Sequence, residues 1–230
     1  MLVLENLEVR YGKIRALRGV SLTVPDRAVV AVLGPNGAGK SSMLKAISGS
    51  VRPYAGRILW NGTNISRLAP HKILRLGIAH VPEGRAMIAP LTVDENLQMG
   101  AYITPHSEIA AMKDQMLELF PPLKARLGTT AGSLSGGEQQ MLAIARGLMS
   151  KPKLIAIDEP SMGLAPAVAN DVLAALAAIV QTGTSVLLVE QNAAIALRLA
   201  HDVVVLGHGE VQAAGTAEEL GHDILAAYVE

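Results

Sequence analysis

The stretch AVVAVLGPNGAGKSS, Ala28 to Ser42, places an apolar run directly before a glycine-rich turn and the start of a helical segment. Glycines at the spacing G-x-x-x-x-G-K-[ST] let successive backbone N–H groups wrap a phosphate at a helix N-terminus, where the helix dipole also favours negative charge. We therefore predict that this turn binds a nucleotide. Its expected nucleotide-binding residues are Gly34, Pro35, Asn36, Gly37, Ala38, Gly39, Lys40, Ser41 and Ser42. The alternative is a strand-to-helix turn without a ligand.

Two residues of the turn carry the chemistry that a nucleotide requires. We expect Lys40 to reach the β- and γ-phosphates and Ser41 to ligate Mg²⁺.

A second apolar run, LIAIDEP from Leu154 to Pro160, ends in two adjacent carboxylates, which are costly to bring together unless they share a cation or a proton. We predict that Asp158 holds Mg²⁺ and that Glu159 orients or deprotonates the attacking water. If LIAIDEP is considered alone, the alternative to a catalytic role is that the two acidic residues simply begin a loop.

A third motif, LSGGEQQ, runs from Leu134 to Gln140. Ser135 followed by Glu138 forms the pattern of a helix capping box. The capping box does not explain Gly136 and Gly137, because glycine is a poor helix former. Bare glycines at a helix N-terminus let a phosphate approach the exposed N–H groups, so the segment is also a candidate phosphate contact.

The apolar pattern predicts an α/β fold. Leu2 to Val9 and Val20 to Val24 alternate apolar and polar residues, as half-buried antiparallel strands do. Continuous apolar runs, typical of parallel strands covered on both faces, occupy Ala28 to Leu33, Ile78 to Val81, Leu154 to Ile157 and Val186 to Val189. Because helix-length segments separate these runs, we expect ligands at the carboxyl ends of the parallel strands.

We predict a single domain over residues 1–230. Residues 1–90 and 151–230 would form a nucleotide-binding core with an antiparallel β subdomain. Residues 91–150 would form a helical insert, because helical spacing dominates there and strand-like runs are almost absent. We also predict a hairpin from Val203 to Ala213 and a final helix from Ala217 to Tyr228.

The charge, cysteine content and apolar content of the chain limit which partners and compartments can be expected. The 20 basic and 20 acidic residues give a formal net charge of +0, so no global field attracts nucleic acid, and we expect no nucleic-acid partner. The absence of cysteine fits a reducing compartment. Apolar residues make up 50% of the chain, but no apolar run approaches the roughly 20 residues that a bilayer requires. The N-terminus lacks the pattern of a signal peptide. Because the chain has no cysteine, the cytoplasm is the simplest expectation.

GPNGAGKS, LSGGEQQ and LIAIDEP, in this order and spacing, resemble the motifs of the ATP-binding subunits of ABC transporters. The resemblance implies a P-loop NTPase core, ATP and Mg²⁺ as ligands, and ATP hydrolysis coupled to transport. It implies head-to-tail pairing with a second ATPase subunit, identical or different, so that Ser135, Gly136, Gly137 and Glu138 contact the nucleotide of the partner. It also implies that Tyr11 stacks on adenine. The alternative for Tyr11 is an ordinary edge-strand tyrosine.

Further partners follow from the same resemblance. The chain would bind integral membrane permease subunits, and through them it would serve a periplasmic or extracellular solute-binding protein. It would therefore lie at the inner face of the cell membrane. The apolar, weakly charged loop VPEGRAMIAPLTV suggests a permease-docking surface beside Glu83 to Gly100, with a packed interdomain hinge as the alternative.

Three departures refine the resemblance. Glu83, in HVPEGR, stands where most of the family has a glutamine, and is expected to lie among the nucleotide-binding residues. Ala165 stands where an aspartate is usual, so a subunit contact there is in doubt. Gln191, which ends VLLVEQ, stands at the position of a catalytic histidine. A neutral amide can bond the γ-phosphate and the water but carries no positive charge, so we expect a slower site.

VPEGR together with VEQN resembles one of the two ATPase subunits of branched-chain amino acid importers. A related urea or amide importer is one alternative, although those subunits usually keep the glutamine. A weakly hydrolysing ATP-gated regulatory module is another, which the three departures permit. Soluble ABC ATPases of DNA maintenance or translation fit poorly, because they resemble tandem domains or carry a long coiled-coil insert.

Overall fold

The computed structural model describes residues 1–84, 86–221 and 224. Its strands are β1 (Leu2–Tyr11), β2 (Ile14–Val24), β3 (Val29–Leu33), β4 (Ala55–Trp60), β5 (Thr63–Asn64), β6 (Ile78–Val81), β7 (Leu154–Asp158), β8 (Ser185–Glu190), β9 (Asp202–Gly207) and β10 (Glu210–Thr216). Its α-helices are α1 (Lys40–Ile47), α2 (Pro70–Arg75), α3 (Val93–Gly100), α4 (His106–Leu119), α5 (Pro121–Lys124), α6 (Gly136–Leu148), α7 (Pro166–Gln181) and α8 (Ala193–Leu197).

The strands form two sheets. The larger has the order β10-β9-β3-β8-β7-β6, in which every pair is parallel except the β9–β10 hairpin. The smaller is antiparallel, with the order β2-β1-β4-β5. The predicted α/β class with an antiparallel β subdomain is confirmed. Strands β4 and β5 and helix α2 were not predicted, because their short segments show too few alternating or periodic positions.

The continuous apolar strands are buried on both faces. In β3, Val29, Ala31 and Leu33 belong to one hydrophobic cluster, and Val30 and Val32 belong to another. The first cluster lies on the side of α6 and α7, and the second lies between the two sheets around α1. A strand covered on both faces needs apolar residues at every position, which explains the unbroken runs.

Helix α1 is held between the sheets by its apolar side. Met43, Leu44 and Ile47 are fully buried in the cluster that also contains Leu4 and Val32, one residue from each sheet. Full burial of each such side chain contributes about 1.5 to 3 kcal/mol. The packing fixes where α1 begins, and therefore where the glycine-rich turn lies.

Helices α3 to α6 lie between β6 and β7 along the chain, within the segment predicted to be helical. Thr92 and Glu95 form a capping box at the start of α3. Beyond β10, residues 217–221 are helical, and most of the predicted final helix lies outside the described residues. In the part of the chain that the structure describes, no helix has the length and apolarity needed to cross a membrane.

Candidate active site

The predicted site residues converge because four parallel strands end at one edge of the larger sheet. β3, β8, β7 and β6 are consecutive neighbours there. The glycine-rich turn follows β3, Gln191 follows β8, Asp158 ends β7, and Glu83 follows β6. The sheet thus gathers segments far apart in sequence, as expected for ligand sites of open α/β sheets.

The turn needs glycine for two different reasons. Gly39 has a φ of 105°, and a Cβ there would lie 2.5 Å from the carbonyl oxygen of Ala16. Gly37 has a φ of 82°, but a Cβ there would meet no atom within 4 Å. Gly39 therefore allows close backbone packing, whereas Gly37 supplies left-handed backbone on a bare surface.

The N-terminus of α1 has no protein cap. Gly39 precedes the helix without a side-chain hydrogen bond, and the first turn contains no acidic residue. The first N–H groups of a helix lack intrahelical acceptors and attract anions. This end of α1 is therefore suited to a phosphate.

Lys40 is buried beside the turn, with 4% of its surface exposed. Its Nζ donates to the carbonyl oxygens of Gly34 at 2.7 Å and Pro35 at 3.2 Å. The same Nζ lies 3.3 Å from Oε1 of Glu159. Buried charges need such partners, and here the ammonium group joins the turn to the end of β7.

Asp158 is 3% exposed, and its Oδ1 is buried without a hydrogen-bond partner. Burial raises the pKa of Asp158 and the charges of Glu159 and Glu83 add to this, whereas a hydrogen bond from the Ser41 side chain lowers it. An orphaned carboxylate oxygen beside a hydroxyl group fits a small cation. The described residues contain no cluster of three or more His, Cys, Asp or Glu suited to a metal ion. Mg²⁺ does not require one, because it commonly uses one or two carboxylates together with phosphates and waters.

Glu159 begins a tight turn after β7. Its φ is 47°, which is uncommon for a residue other than glycine. Its N–H donates to the carbonyl of Val189 at 2.9 Å, and its own carbonyl accepts from the N–H of Met162 at 3.2 Å. A cleft of about 1070 Å³ passes Pro35, Glu159 and Gln191, and the Glu159 side chain is 9% exposed beside it.

The end of β8 carries one predicted residue and one that sequence reasoning missed. Gln191 is exposed and directly follows the strand that pairs with β7, as expected. Glu190 is 2% exposed, and its Oε1 accepts a hydrogen bond from the Ser161 N–H at 3.1 Å. A carboxylate ending an apolar run was the available signal, but its partner lies in another segment.

The Ser135 segment forms the start of α6. Ser135 Oγ accepts from the Glu138 N–H at 3.3 Å, and Glu138 Oε2 accepts from the Ser135 N–H at 2.8 Å. A Cβ on Gly137 would lie 2.3 Å from Cγ1 of Val168, so packing against α7 by itself requires glycine there. Among the described residues, no hydrogen bond or ion pair connects the segment from Ser135 to Glu138 to the turn from Gly34 to Ser42.

Two remaining positions lie at the edges of the site. Tyr11 ends β1 and is 43% exposed, on a hairpin whose other strand brings Ala16 against Gly39. Ala165 precedes α7 and provides no side-chain cap. The stacking of Tyr11 on adenine stays a prediction, and Ala165 has no carboxylate for the subunit contact that an aspartate would make at this position.

Comparison with known proteins identifies relatives over nearly the whole chain. A family model described as ABC transporter matches residues 17–162. The high-affinity branched-chain amino acid transport ATP-binding protein BraG of Pseudomonas aeruginosa is 46% identical over 211 residues, 92% of this chain and 91% of that protein. The probable branched-chain amino acid transport ATP-binding protein LivF of Archaeoglobus fulgidus is 38% identical over 221 residues, 96% of this chain and 94% of that protein. The ADP conformation of MJ1267, an ATP-binding cassette of an ABC transporter, superposes with a TM-score of 0.89 at 28% identity, covering 98% of this chain and 94% of that one.

Proposed function

This chain belongs to the family of ATP-binding subunits of ABC transporters, and we propose that it hydrolyses ATP to power a branched-chain amino acid importer. The observation that carries the ATPase role is the contact of buried Lys40 with Glu159, beside the orphaned oxygen of Asp158. The identity to BraG over most of both chains supports the solute class.

Phosphate binding would use the turn and α1. The uncapped N–H groups of α1 would donate to phosphate oxygens, and Lys40 would share its three donors between them and the carbonyls that it already contacts. Ser41 and Asp158 would hold Mg²⁺, which neutralises phosphate charge during phosphoryl transfer. Glu83 lies close enough to Asp158 to affect its pKa, which supports a place at the edge of this site.

Two side chains would act on the water. Glu159 would orient or deprotonate it, because its carboxylate contacts Lys40 and the residue lines the cleft. Gln191 would donate one hydrogen bond to a γ-phosphate oxygen and accept one from the water. Neutral hydrogen bonds are roughly half as strong as charge-assisted ones, so this site would be slower than one with a histidine.

A second ATPase subunit, identical or different, would complete the site. Ser135 is exposed, and its Oγ accepts from the Glu138 N–H. Its O–H would turn from the Glu138 carboxylate to a phosphate held by the partner. This arrangement supports head-to-tail pairing, in which Ser135 to Glu138 of one subunit meet the nucleotide of the other.

A groove of about 230 Å³ between β6 and helices α3 and α6 would dock the permease. Met99 and Tyr102 on its rim are exposed, and Arg146 lines it without a carboxylate within ion-pair distance among the described residues. Met, Tyr and Arg are enriched in protein interfaces. The adjoining loop is held by fully buried Asn96, whose Oδ1 accepts from the Ile88 N–H at 2.8 Å. Docking there would place the chain on the inner face of the membrane, with a solute-binding protein engaged only through the permease.

Reconstitution tests this function. The chain would be assembled with branched-chain permease subunits, their second ATPase subunit and the solute-binding protein, and ATP hydrolysis measured with leucine, isoleucine, valine, urea or acetamide. We expect stimulation by the branched-chain amino acids. Stimulation by urea or acetamide alone would assign a related importer, and the absence of steady turnover would favour an ATP-gated regulatory module.

A further inference from the structure

Glu190 is a buried carboxylate without a role in the chemistry above. Among the charged side chains that the structure describes, Lys40, Asp158 and Glu190 are the ones that are buried. Lys40 and Asp158 adjoin the turn that follows β3, whereas Glu190 lines the cleft that also passes Glu159 and Gln191. Burying a carboxylate is costly unless hydrogen bonds offset the lost hydration. Its contacts therefore indicate what it does.

Glu190 lies on the opposite face of the sheet from Asp158. Residues two apart on a strand share a face. In β8, Val186 and Leu188 belong to the cluster on the side of α6 and α7, and Glu190 continues that row. In β7, Leu154 and Ala156 belong to the cluster around α1, and Asp158 continues that row. Glu190 therefore lies on the face of the sheet away from α1, and the contacts that the structure shows for it are with Ser161 and Asn192.

The backbone that Glu190 contacts is the turn begun by Glu159. A non-glycine residue at positive φ costs on the order of 1 kcal/mol and persists only where its surroundings hold it. Two backbone hydrogen bonds hold Glu159, to Val189 and from Met162. The Ser161 N–H lies inside the same turn and donates to Glu190 Oε1 at 3.1 Å. Glu190 thus adds a side-chain acceptor to a strained turn.

The same carboxylate adjoins Gln191. Burial raises the pKa of Glu190, and hydrogen bonds from Ser161 and from the backbone of Asn192 lower it. Asn192 in turn caps α8 by accepting from the Ile195 N–H at 3.3 Å. Gln191 therefore lies between two residues that are both anchored.

We propose that Glu190 is a positioning residue that holds the Glu159 turn and Gln191 in register across the ends of β7 and β8. The proposal rests on the ATPase function proposed above. It assigns Glu190 the role of a hydrogen-bond acceptor at a fixed place, so the position of its oxygen matters more than its charge.

Three substitutions test this role in the assembled, transport-competent complex. Glu190→Gln keeps an acceptor oxygen for the Ser161 N–H but not a second one for the Asn192 N–H, Glu190→Asp keeps the charge but withdraws both acceptors by one methylene, and Glu190→Leu removes them. Small misplacements of catalytic groups can cost up to roughly 100-fold in rate, so we expect Leu to lower kcat by about 10-fold or more, Asp by less, and Gln least. MgATP affinity should stay within about twofold, because the α1 turn is untouched.

Ser185→Ala is the matched control. Ser185 is buried at the other end of β8, and its Oγ accepts from the Arg27 N–H at 2.9 Å. The variant also removes a buried acceptor for a backbone N–H, so it should lower the thermal midpoint and leave kcat unchanged. Amide hydrogen exchange at Ser161 should accelerate in Glu190→Leu and stay slow in Glu190→Gln and Ser185→Ala.

Several outcomes would overturn the proposal. These are an unchanged kcat in Glu190→Leu, a kcat for Glu190→Asp above that of Glu190→Gln, or a parallel loss of MgATP affinity. If Glu190→Leu does not fold, the order of the Asp and Gln variants still decides. A wild-type complex that fails to hydrolyse ATP would instead overturn the proposed function, so the two failures are distinguishable.

Discussion

Helices α1 and α6 both begin after small residues, yet their N-termini differ. The start of α1 has no side-chain cap and no acidic residue in its first turn, whereas the start of α6 has a complete capping box and Glu138 in its first turn. Both starts contain a glycine that packs closely, Gly39 against Ala16 and Gly137 against Val168, and the turn before α1 adds Gly37, which borders open space. The uncapped start of α1 therefore favours an anion bound within this chain. The start of α6 is stabilised by its own side chains and would meet a phosphate only in a second subunit.

The largest expected effect is a loss of ATP hydrolysis without a loss of MgATP binding at α1. Glu159→Gln keeps the shape of the side chain but loses the carboxylate, so turnover in the assembled complex should fall by roughly 100-fold or more. MgATP should remain bound, because the α1 turn persists. Single-turnover hydrolysis together with calorimetry measures both. Hydrolysis at the wild-type rate would move the catalytic role to another residue.

Lys40→Ala tests the anion site itself. The charge-assisted contact with phosphate is lost while the backbone cradle persists, so MgATP affinity should fall by roughly 10- to 100-fold with the fold intact. Calorimetry measures the affinity, and far-UV circular dichroism checks the fold. Unchanged affinity would refute the role of Lys40 and remove the contrast between the two helices.

Gly137→Ala tests whether the α6 glycine serves packing. The new Cβ would meet Val168 at 2.3 Å, so we expect the free energy of unfolding to fall by about 1 to 3 kcal/mol. Gly128→Ala is the control, because a Cβ there meets no atom within 4 Å. Chemical denaturation of both variants gives the difference. Equal stability would show that packing does not select glycine at this position.

Ser135→Ala should remove the cap of α6 and cost about 1 kcal/mol, without changing MgATP binding by the isolated chain. Hydrogen bonds from Ser135 hold the pKa of Glu138 below its ordinary value of 4.5. A lowered folded-state pKa stabilises the protein above the unfolded value, and this contribution is lost as the pH falls through the folded value. Stability of the wild type should therefore decline more steeply below about pH 4.5 than that of Ser135→Ala. Identical pH profiles would contradict the role of the capping box.

The smallest effect should come from Gln191→Ala, which would remove the neutral hydrogen bond to phosphate proposed for this residue. We expect turnover in the assembled complex to fall only a few-fold, in line with about 1 kcal/mol for such a bond. If the partner ATPase has a histidine at this position, its site should carry more of the turnover. Removing the turn lysine from one subunit at a time would measure each site, and equal rates would contradict the expectation.

Much of the local structure of this protein could be predicted from short sequence patterns. The turn at Gly34 to Ser42, the buried strands β3, β7 and β8, and the capping box at Ser135 each depend on residues within a few positions of one another. Strand and helix periodicity and glycine spacing are short-range rules, so they can be read without knowing the fold. The order of the motifs indicated the family, which the comparisons confirm.

Only the tertiary structure decided the contacts between distant segments. Glu190 meets Ser161, and Gly137 meets Val168, across about 30 positions of the sequence. The orphaned oxygen of Asp158 likewise depends on the neighbours that the sheet places around it. No local pattern encodes these pairs, because the register of parallel strands and the packing of helices on the sheet bring them together only after the chain has folded.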